Sequence, residues 1–298
     1  MLGINRRNAD YIMRYNPRHL YPLVDDKLLT KKLAIEAGIA VPELYAVIEI
    51  QHQIADLPSF VEKHKDFVIK PSHGSGGNGI LVIDGSFGRN YRKANGDLMS
   101  VEAIEHHISN ILTGMYSLGG ISDSALIEYR VKFDPFFSHI SYQGVPDIRV
   151  IVFRGVPVAA MVRLPTRASD GKANLHQGAM GIGIELANGR SSYGVCRNQS
   201  TTSHPDTGYP TTDIEIPHWQ EILRLAIRCA DTVGLGYLGV DIVMDRDLGP
   251  LMLELNARPG LSVQIANQRG LTKNLEKVEA VKELPTDIDE RVALAQSL

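Results

Sequence analysis

Cysteine is scarce in this chain of 298 residues, which contains only Cys196 and Cys229. Neither cysteine belongs to a CxxC pair or lies near a histidine cluster, so the spacing argues against a zinc site or a redox motif. Two reduced thiols are typical of a protein from a reducing compartment, and we therefore expect a cytoplasmic protein.

Long apolar runs and an excess of one charge are missing as well. No stretch approaches the roughly 20 apolar residues that a membrane span needs, and the N-terminal MLGINRRNADYIMRYN lacks the apolar core of a secretory signal. The chain has 31 basic and 34 acidic residues, which give a formal net charge of −3. Without a basic excess, nucleic acid is not predicted as the main partner. The length and the 44% of hydrophobic residues predict a globular protein with a sizeable buried core.

Helical and strand-like segments alternate along the chain and predict an α+β fold in two lobes. Residues 1–24 read as an extended arm or a short helix. A helix over 27–37 follows, capped by Asp25 or Asp26 and ended by Gly38. Strands are predicted at 44–48, 67–70, 80–84, 125–129, 148–153, 156–164 and 181–186. Further helices are predicted at 51–64, 100–113 and 217–233 and in the C-terminal tail, capped there by Thr286, with loop-rich stretches at 165–177 and 187–212.

A glycine-rich turn, HGSGGNG at 73–79, separates two of the predicted strands. Gly74, Gly76 and Gly79 fit GxGxxG, but a dinucleotide fold requires a helix after the loop, and the β-rich run ILVID follows here. A Walker loop is excluded because no GK[ST] tripeptide is present. A strand–loop–strand flap can lay backbone N–H groups over ATP phosphates, and Lys70 directly before it is placed to meet a phosphate. The alternative is a tight hairpin with a solvated lysine.

Three oxygen-bearing side chains are predicted to converge on one face of a hairpin at 237–256. Glu254 and Asn256 are two residues apart on one strand and therefore share a face. If the hairpin turns near Leu248, Asp241 of the preceding strand lies opposite them. An Asp, a Glu and an Asn oxygen suit one or two Mg²⁺ ions on a polyphosphate. The alternative, a solvent-facing pair of strands, opposes like charges unless a cation lies between them.

Arg258 follows this hairpin in the run Arg258-Pro259-Gly260. An arginine at this place can hold a transferring phosphoryl group. It can equally be a surface residue at the end of a strand.

In this order the pieces resemble the ATP-grasp superfamily, and more closely the branch of the glutamate ligase RimK and the alpha-L-glutamate ligase-like proteins. The resemblance spans about residues 25–265. It is carried by DDKLLTKKLAIEAGIAVP (25–42), FVIKPSHGSGGNGI (67–80), IEY (127–129), PDIRVIV (146–152), NLHQG (174–178), GVDIV (239–243) and LELNARPG (253–260).

The resemblance implies an ATP-grasp fold, in which two α+β lobes bind ATP between them. The small lobe at 25–130 would carry the glycine-rich flap, and the large lobe at 131–298 the metal-binding hairpin and the C-terminal helix. RimK-type ligases have a full domain before the ATP-grasp lobes, and we expect only the arm at 1–24 in its place.

The resemblance also implies roles for individual residues. Those implied to bind the nucleotide are Lys27, Lys70, Gly76, Gly77, Glu128, Tyr129, Arg130, Asp147 and Arg163. Those implied to act near the acyl-phosphate are Arg149, Lys172, Asn174, His176 and Arg258. Those implied to bind Mg²⁺, or Mn²⁺ in its place, are Asp241, Glu254 and Asn256. His176 can orient or deprotonate an amine, or it can be a loop histidine bonded to the backbone.

The implied activity is ATP-dependent ligation of a carboxylate to an amine through an acyl-phosphate. The implied substrates are an amino acid, with glutamate favoured, and a carboxylate-bearing acceptor that is a peptide, a protein or a small molecule. Two alternatives stay open: a ligase for another amino acid or a peptide, and an ATP-binding regulatory module without ligase activity. A homo-oligomer, with Tyr11, Tyr15 and Tyr21 packed on a second subunit, is a further hypothesis.

Overall fold

The computed structural model describes residues 1–74, 76–88, 90–212 and 214–298. Within these ranges the chain divides into two compact units. The larger unit comprises Met1–Asp25, Leu29–Val41 and Lys132–Leu298, and the smaller unit comprises Asp26–Leu28 and Pro42–Val131. Among the helices described, none is both long and apolar enough to cross a membrane.

The described residues form the following elements. The strands are β1 (Leu44–Ile48), β2 (Phe67–Pro71), β3 (Leu81–Phe87), β4 (Asn90–Lys93), β5 (Leu98–Met99), β6 (Ala125–Glu128), β7 (Asp147–Phe153), β8 (Val156–Leu164), β9 (Met180–Ile184), β10 (Ser191–Cys196), β11 (Gln199–Thr201), β12 (Tyr237–Asp245) and β13 (Gly249–Asn256). The α-helices are α1 (Ile4–Arg6), α2 (Met13–Tyr15), α3 (Pro22–Asp25), α4 (Lys27–Glu36), α5 (Leu57–Val61), α6 (Val101–Leu112), α7 (Trp219–Val233), α8 (Ser262–Ala266), α9 (Thr272–Ala280) and α10 (Ile288–Gln296). Short 3₁₀ or π segments occupy Arg7–Ile12, Arg18–Leu20, Gln51–Asp56, Leu118–Gly120, Pro135–Ser138, Arg167–Ser169 and Leu175–Gln177.

The smaller unit is built on an antiparallel sheet with the strand order β1-β6-β2-β3-β4-β5. Helix α6 packs into the same core because Ile104, Ile108 and Ile111 recur every three or four residues and are fully buried. The hydroxyl oxygen of Ser100 accepts a hydrogen bond from the Ala103 N–H (3.3 Å) and so caps the first turn of α6.

The larger unit is built on an antiparallel sheet with the strand order β11-β10-β9-β8-β7-β12-β13. Alternate residues of β7 enter two separate cores, as the pleat requires: Ile148 and Val150 belong to one, and Ile151 and Phe153 to the other. Residues of α7 fill the first core, and residues of α8, α9 and the N-terminal segment fill the second. The central strands are therefore buried on both faces, and their charged side chains must find partners inside the unit.

The hairpin predicted from the sequence is confirmed, since β12 pairs with β13 and places Asp241 opposite Glu254. Most other strands lie within a few residues of their predicted positions. The loop-rich interpretation of 187–212 was wrong in part, because β10 and β11 lie there. Their serine-, glycine- and glutamine-containing sequences lack the alternation of apolar residues that identifies a strand.

Three further expectations need correction. The predicted helix at 51–64 is a 3₁₀ segment followed by the short α5, where Pro58 occupies the first turn. The cap of the C-terminal helix is Asp287 and not Thr286, because the Asp287 carboxylate accepts from the Glu290 N–H (3.0 Å). The short strands β4 and β5 had no predicted counterpart.

The N-terminal arm is helical and forms part of the core of the larger unit. Tyr11 is 2% exposed, and its ring lies edge-on to Phe153 with 5.4 Å between the centroids. The Tyr15 hydroxyl donates to Glu279 (2.6 Å). Tyr11 is therefore buried within its own chain and is not available to a second subunit, whereas Tyr15 is only partly buried and the homo-oligomer stays a hypothesis.

The predicted boundaries after residues 24 and 130 stay predictions. The compact units differ from them at helix α4, most of which belongs to the larger unit. The reason is that Ala34, and Ile39 just beyond the helix, are buried in the core of that unit.

Candidate active site

Two aspartates and two arginines form a buried ion cluster on three neighbouring strands of the larger unit. The strand register places Asp147 opposite Arg163, and Arg149 opposite Asp241. Arg163 Nη2 donates to Asp147 Oδ2 (2.6 Å) and to Asp241 Oδ2 (2.8 Å). Arg149 Nε donates to Asp241 Oδ1 (2.7 Å). Four side chains implicated by the sequence thus contact one another directly, in pairs that match the guanidinium fork to a carboxylate.

The pKa values of the two carboxyls in this cluster move in opposite directions. Burial raises the pKa of Asp241, but the charges and hydrogen bonds of Arg149 and Arg163 outweigh it and lower the pKa to about 2. For Asp147, burial outweighs the charge of Arg163, and the nearby Asp241 anion adds to it, so its pKa rises to about 6. The two arginines therefore hold Asp241 in its anionic form, whereas burial favours the neutral form of Asp147.

Glu254 and Asn256 lie beside this cluster on β13. Asn256 Nδ2 donates to Asp241 Oδ2 (3.2 Å), and Glu254 is the strand partner of Asp241. Two carboxylates that face each other across strands, as Asp241 and Glu254 do, repel unless positive charge lies between them. Arginines supply part of this charge, because both oxygens of Asp241 accept hydrogen bonds from them. The half-buried Glu254 carboxylate forms no hydrogen bond or ion pair within the part of the chain that the structure describes.

The chemistry of these side chains can be compared with the needs of a metal ion. Among the described residues, no group of three or more His, Cys, Asp or Glu side chains is placed to hold one. Mg²⁺ on a nucleotide needs fewer protein ligands, usually one or two carboxylates with phosphate oxygens and water. Glu254 and the Oδ1 atom of Asn256 fit this requirement, whereas the Asp241 oxygens are already engaged by guanidinium groups. The donor set therefore fits Mg²⁺ held mainly by Glu254 and Asn256.

Arg258 lies two residues beyond Asn256, and its side chain is exposed. Its guanidinium carbon is 4.8 Å from the centroid of the Tyr21 ring, a cation–π contact. Tyr21 thus orients Arg258 at the end of the β12–β13 hairpin. This partner comes from the N-terminal segment, and no sequence signal linked the two residues.

The loop between β8 and β9 contains three residues implied to act near the acyl-phosphate, and we call it the predicted substrate loop. Lys172 and His176 are exposed, and Asn174 is half-buried. The Asn174 Oδ1 atom accepts from the His176 backbone N–H (3.0 Å) and caps the short 3₁₀ turn that follows. Within the described residues, none of these three side chains bonds to the arginine–aspartate cluster, so the structure groups them on one loop without joining them to it.

In the smaller unit, Lys70 and Glu128 form a buried ion pair. Lys70 Nζ is 2.8 Å from Glu128 Oε2, and the two side chains are 8% and 3% exposed. The pair joins neighbouring strands β2 and β6 at the point where the chain enters the glycine-rich turn. A lysine fixed in this way is preorganised, and a preorganised group loses less entropy when it binds a ligand.

The residues after Glu128 take part in contacts of their own. The Tyr129 N–H donates to the Glu43 carbonyl (2.9 Å), so this donor is used inside the unit. Arg130 Nε donates to Asp66 Oδ2 (3.3 Å). Of the backbone groups implied to meet an adenine, the Tyr129 N–H is therefore already engaged.

The glycine-rich turn is held at its base. Lys27 Nζ donates to the Gly74 carbonyl (2.5 Å). Gly76, Gly77 and Gly79 have φ values of +65°, +79° and +76°, a backbone region that residues other than glycine rarely adopt. Ser75, which belongs to the predicted flap, lies outside the described residues. The glycines thus permit a backbone path that most other residues would resist.

A buried carboxylate near this turn was missed in the sequence. Asp123 accepts from the His73 N–H (3.1 Å), from His73 Nδ1 (2.8 Å) and from the Ser124 N–H (2.8 Å). The Ser117 hydroxyl also donates to it. Burial raises the pKa of Asp123, but the hydrogen bonds from Ser117, His73 and Ser124 outweigh burial and hold it below its usual value. His73 is 50 residues from Asp123, and no motif signals their contact.

Comparisons with known proteins bear on the family and the fold of this chain. The family described as sugar-transfer associated ATP-grasp matches residues 6–280. A cyanophycin synthetase of Geminocystis herdmanii (strain PCC 6308) is 24% identical over 292 residues, covering 85% of this chain and 29% of the relative. A probable alpha-L-glutamate ligase of Maridesulfovibrio salexigens is 27% identical over 135 residues, covering 45% of this chain and 33% of the relative. The chain thus spans about a third or less of the length of these curated relatives.

Two solved structures share the fold. The D-alanine–D-alanine ligase from Bacillus anthracis complexed with ATP has a TM-score of 0.50 and 13% identity, covering 95% of this chain and 71% of its own. The Chryseobacterium gregarium RiPP-associated ATP-grasp ligase, in complex with ADP and a leader and core peptide, has a TM-score of 0.50 and 14% identity, covering 92% and 64%. At these identities the likeness concerns the fold, and the predicted ATP-grasp fold is confirmed.

Proposed function

The chain belongs to the sugar-transfer associated ATP-grasp family, and from this premise we propose that it is an ATP-dependent carboxylate–amine ligase. The observation that carries the proposal is the β12–β13 hairpin, where Asp241, Glu254 and Asn256 lie together beside two buried arginines. Cations and metal-binding oxygens in one buried cluster suit the polyphosphate chemistry that such a ligase requires.

In the smaller unit, we assign nucleotide binding to the side chains and backbone around β2 and β6. The residues are Lys27, Lys70, Gly76, Gly77, Glu128, Tyr129 and Arg130. The Lys70–Glu128 ion pair supports this assignment, because it fixes an ammonium group directly before the turn whose N–H groups would cradle phosphates. For Tyr129, we assign the carbonyl rather than the N–H, which already donates to Glu43.

In the larger unit, we assign the phosphates and the metal ion to the cluster and its hairpin. Asp147 and Asp241 hold the guanidinium planes of Arg163 and Arg149, so these cations need no reorganisation when charge develops. Glu254 and Asn256 would hold Mg²⁺, with Asp241 completing the set only if it exchanges an arginine for the ion. When bound, Mg²⁺ neutralises polyphosphate charge and polarises the transferred phosphoryl group.

The reaction that follows has two steps. A carboxylate oxygen of one substrate attacks the γ-phosphorus of ATP, ADP leaves, and an acyl-phosphate forms. An amine then attacks the carbonyl carbon, and phosphate leaves from the resulting oxyanion, so the products are an amide, ADP and phosphate. We assign Arg258 to the acyl-phosphate, and Lys172, Asn174 and His176 to the approach of the amine, where His176 accepts its proton.

Glutamate is the amino acid that we propose, with a peptide, protein or small-molecule acceptor. The support is the probable alpha-L-glutamate ligase, which is 27% identical over 135 residues. A ligase for another amino acid differs from this proposal only in the substrate pocket.

The proposal is tested by trapping the activated carboxylate. The protein is incubated with Mg-ATP, hydroxylamine and a panel of amino acids and short peptides, and hydroxamate and ADP are measured together. We expect hydroxamate with one class of carboxylate, in step with ADP. Glu254→Gln should abolish both while leaving the fold intact by circular dichroism. ADP release without hydroxamate for any carboxylate would contradict the acyl-phosphate.

An ATP-binding regulatory module is the second candidate function, and Arg258 distinguishes it. Arg258 is exposed and oriented by Tyr21 rather than built into the core, so its removal should leave the fold unchanged. For a ligase, we expect Arg258→Ala to reduce turnover strongly while the Kd for Mg-ATP changes little. Wild-type protein that binds Mg-ATP tightly but turns over no member of the panel would favour the module.

A further inference from the structure

A cavity of about 660 Å³ lies in the larger unit beside the predicted substrate loop. Three segments form most of its wall: the loop that contains His176, the turn between β10 and β11, and the start of α8. The N-terminal residues close the remaining side. All of these segments belong to the same compact unit.

The chain connects this cavity to the candidate active site on two sides. Ala179 in the wall lies two residues before Gly181, which is the strand partner of Arg163. Leu261, also in the wall, lies three residues after Arg258. The cavity wall is therefore continuous in the chain with the strand that pairs with Arg163 and with the segment that carries the predicted phosphoryl-binding arginine.

Among the side chains of the lining, one carries a permanent positive charge and none is Asp or Glu. The charged side chain is that of Arg197. Arg197 and Asn198 form the two-residue turn between β10 and β11, where both have positive φ values of +49° and +63°. Within the described part of the chain, Arg197 forms no ion pair or hydrogen bond through its side chain. Its charge is available to a ligand.

The remaining lining residues include apolar side chains and a glutamine that is engaged in hydrogen bonds within the protein. Leu175, Val195 and Ile265 provide apolar surface. Gln264 is polar but already engaged, since its Oε1 atom accepts from the Leu2 N–H (2.7 Å) and its Nε2 atom donates to the Leu2 carbonyl (3.0 Å). Gln264 therefore closes the cavity and does not recognise a ligand.

We propose that this cavity binds the amine substrate of the ligase as an α-amino acid, with its free carboxylate on Arg197. The aliphatic part of the substrate packs against the apolar wall, and its amine faces His176. A single guanidinium group matches one carboxylate in bidentate geometry, whereas a phosphate dianion usually draws several donors. The inference rests on the proposed ligase function, and it assigns that function a substrate class and a specificity residue.

The test measures equilibrium binding, without turnover, to protein saturated with Mg-ADP. The probes are the standard L-amino acids, the α-carboxamide of each amino acid that binds, and inorganic phosphate. Binding of each probe is measured by calorimetry. We expect at least one amino acid to bind and its carboxamide to bind about 10- to 100-fold more weakly, because a charge-assisted hydrogen bond is lost. Arg197→Gln should lower the affinity for the amino acid to that of the wild-type protein for the carboxamide.

The matched control is Arg190→Gln. Arg190 is an exposed arginine at the opposite end of β10, paired with Glu215 and absent from the cavity lining. The Arg190→Gln substitution should leave the affinity for the amino acid unchanged. The proposal is overturned if no amino acid binds, if phosphate binds instead, or if Arg197→Gln binds the amino acid as tightly as Arg190→Gln does.

Its failure can be told apart from failure of the proposed function. ADP release that depends on an amino acid but is insensitive to Arg197→Gln would keep the ligase and overturn the cavity assignment. Binding that depends on Arg197 in a protein that never releases ADP would keep the cavity and overturn the ligase.

Discussion

At the scale of single residues, Arg163 holds together the ion cluster of the larger unit. It donates to both Asp147 and Asp241, and its side chain is 11% exposed. Replacing it by methionine keeps much of the volume but leaves two carboxylates facing each other in a buried place. We expect Arg163→Met to lower the free energy of unfolding by about 3–5 kcal/mol, the usual effect of breaking a buried ion pair.

Urea unfolding measured by the fluorescence of Trp219 would check this value, because Trp219 is the single tryptophan and belongs to the core of the larger unit. Arg190→Met is the control, since its pair with Glu215 is exposed and should contribute much less. Equal losses in the two variants would show that the cluster contributes no more than a surface pair.

Asp123 gives a prediction of pH dependence in the smaller unit. Hydrogen bonds hold the pKa of Asp123 in the folded protein below that of an aspartate in the unfolded chain. Its contribution to the free energy of unfolding is therefore fully present above the unfolded pKa, about 3.9. The contribution is lost as the pH falls through the folded value. We expect Asp123→Asn to cost about 1–3 kcal/mol at neutral pH, the penalty for leaving buried donors unsatisfied, and the difference from wild type to shrink below about pH 4.

Thermal unfolding across a pH series would measure this difference. Asp84→Asn is the control, because Asp84 pairs with Arg92 in the same unit but at a more accessible place. A penalty for Asp123→Asn that stays constant down to pH 2 would contradict the assignment of a charged Asp123.

Among the elements, the glycine-rich turn allows two costs of an added methyl group to be measured apart: backbone strain and steric clash. Gly76 and Gly79 both have positive φ, but a Cβ at Gly76 meets open space, whereas a Cβ at Gly79 would lie 2.6 Å from the Tyr116 ring. Left-handed backbone costs a residue with a side chain about 1–2 kcal/mol. We expect Gly76→Ala to show that cost alone and Gly79→Ala to show a larger one.

Hydrogen exchange of the smaller unit without nucleotide would compare the two variants. Adding Tyr116→Ala to Gly79→Ala should recover part of the excess loss, because it removes the atoms that clash. Equal losses in Gly76→Ala and Gly79→Ala would contradict the packing of Gly79 on Tyr116.

The elements that could be predicted are those with a local pattern. The β12–β13 hairpin follows from two apolar runs around a turn-rich link, and its register puts Asp241 opposite Glu254 as expected. Strand β10 could not be predicted, because its sequence SSYGVC has no clear alternation and becomes a strand by pairing with β9 and β11.

The residues of the candidate site come from the family resemblance and their roles stay predictions, whereas their contact partners could not be predicted. The resemblance to a family supplied Arg149 and Arg163 as phosphate-binding residues, yet their contacts with Asp241 and Asp147 depend on strand order, which the sequence does not encode locally. The same holds for Tyr21 beneath Arg258 and for His73 against Asp123. Such contacts join residues far apart in the chain, so no spacing rule identifies them.

At the scale of the whole molecule, the N-terminal segment is part of the ATP-grasp architecture and not an appendage. Asn16 shows this, since its side chain donates to the Tyr237 carbonyl (2.8 Å) and accepts from the Tyr237 N–H (2.7 Å). The segment thereby braces β12, the strand that carries Asp241. It also supplies Tyr21 to Arg258 and closes the cavity beside His176.

The stoichiometry of ADP release and amide formation separates a ligase from a protein that only binds or hydrolyses ATP. The protein is incubated with Mg-ATP, an amino acid and an acceptor carboxylate, and both products are quantified, the amide by mass spectrometry. We expect one ADP for each new amide and the loss of both in Glu254→Gln. ADP formed without any amide, or an amide formed by Glu254→Gln at the wild-type rate, would contradict this expectation.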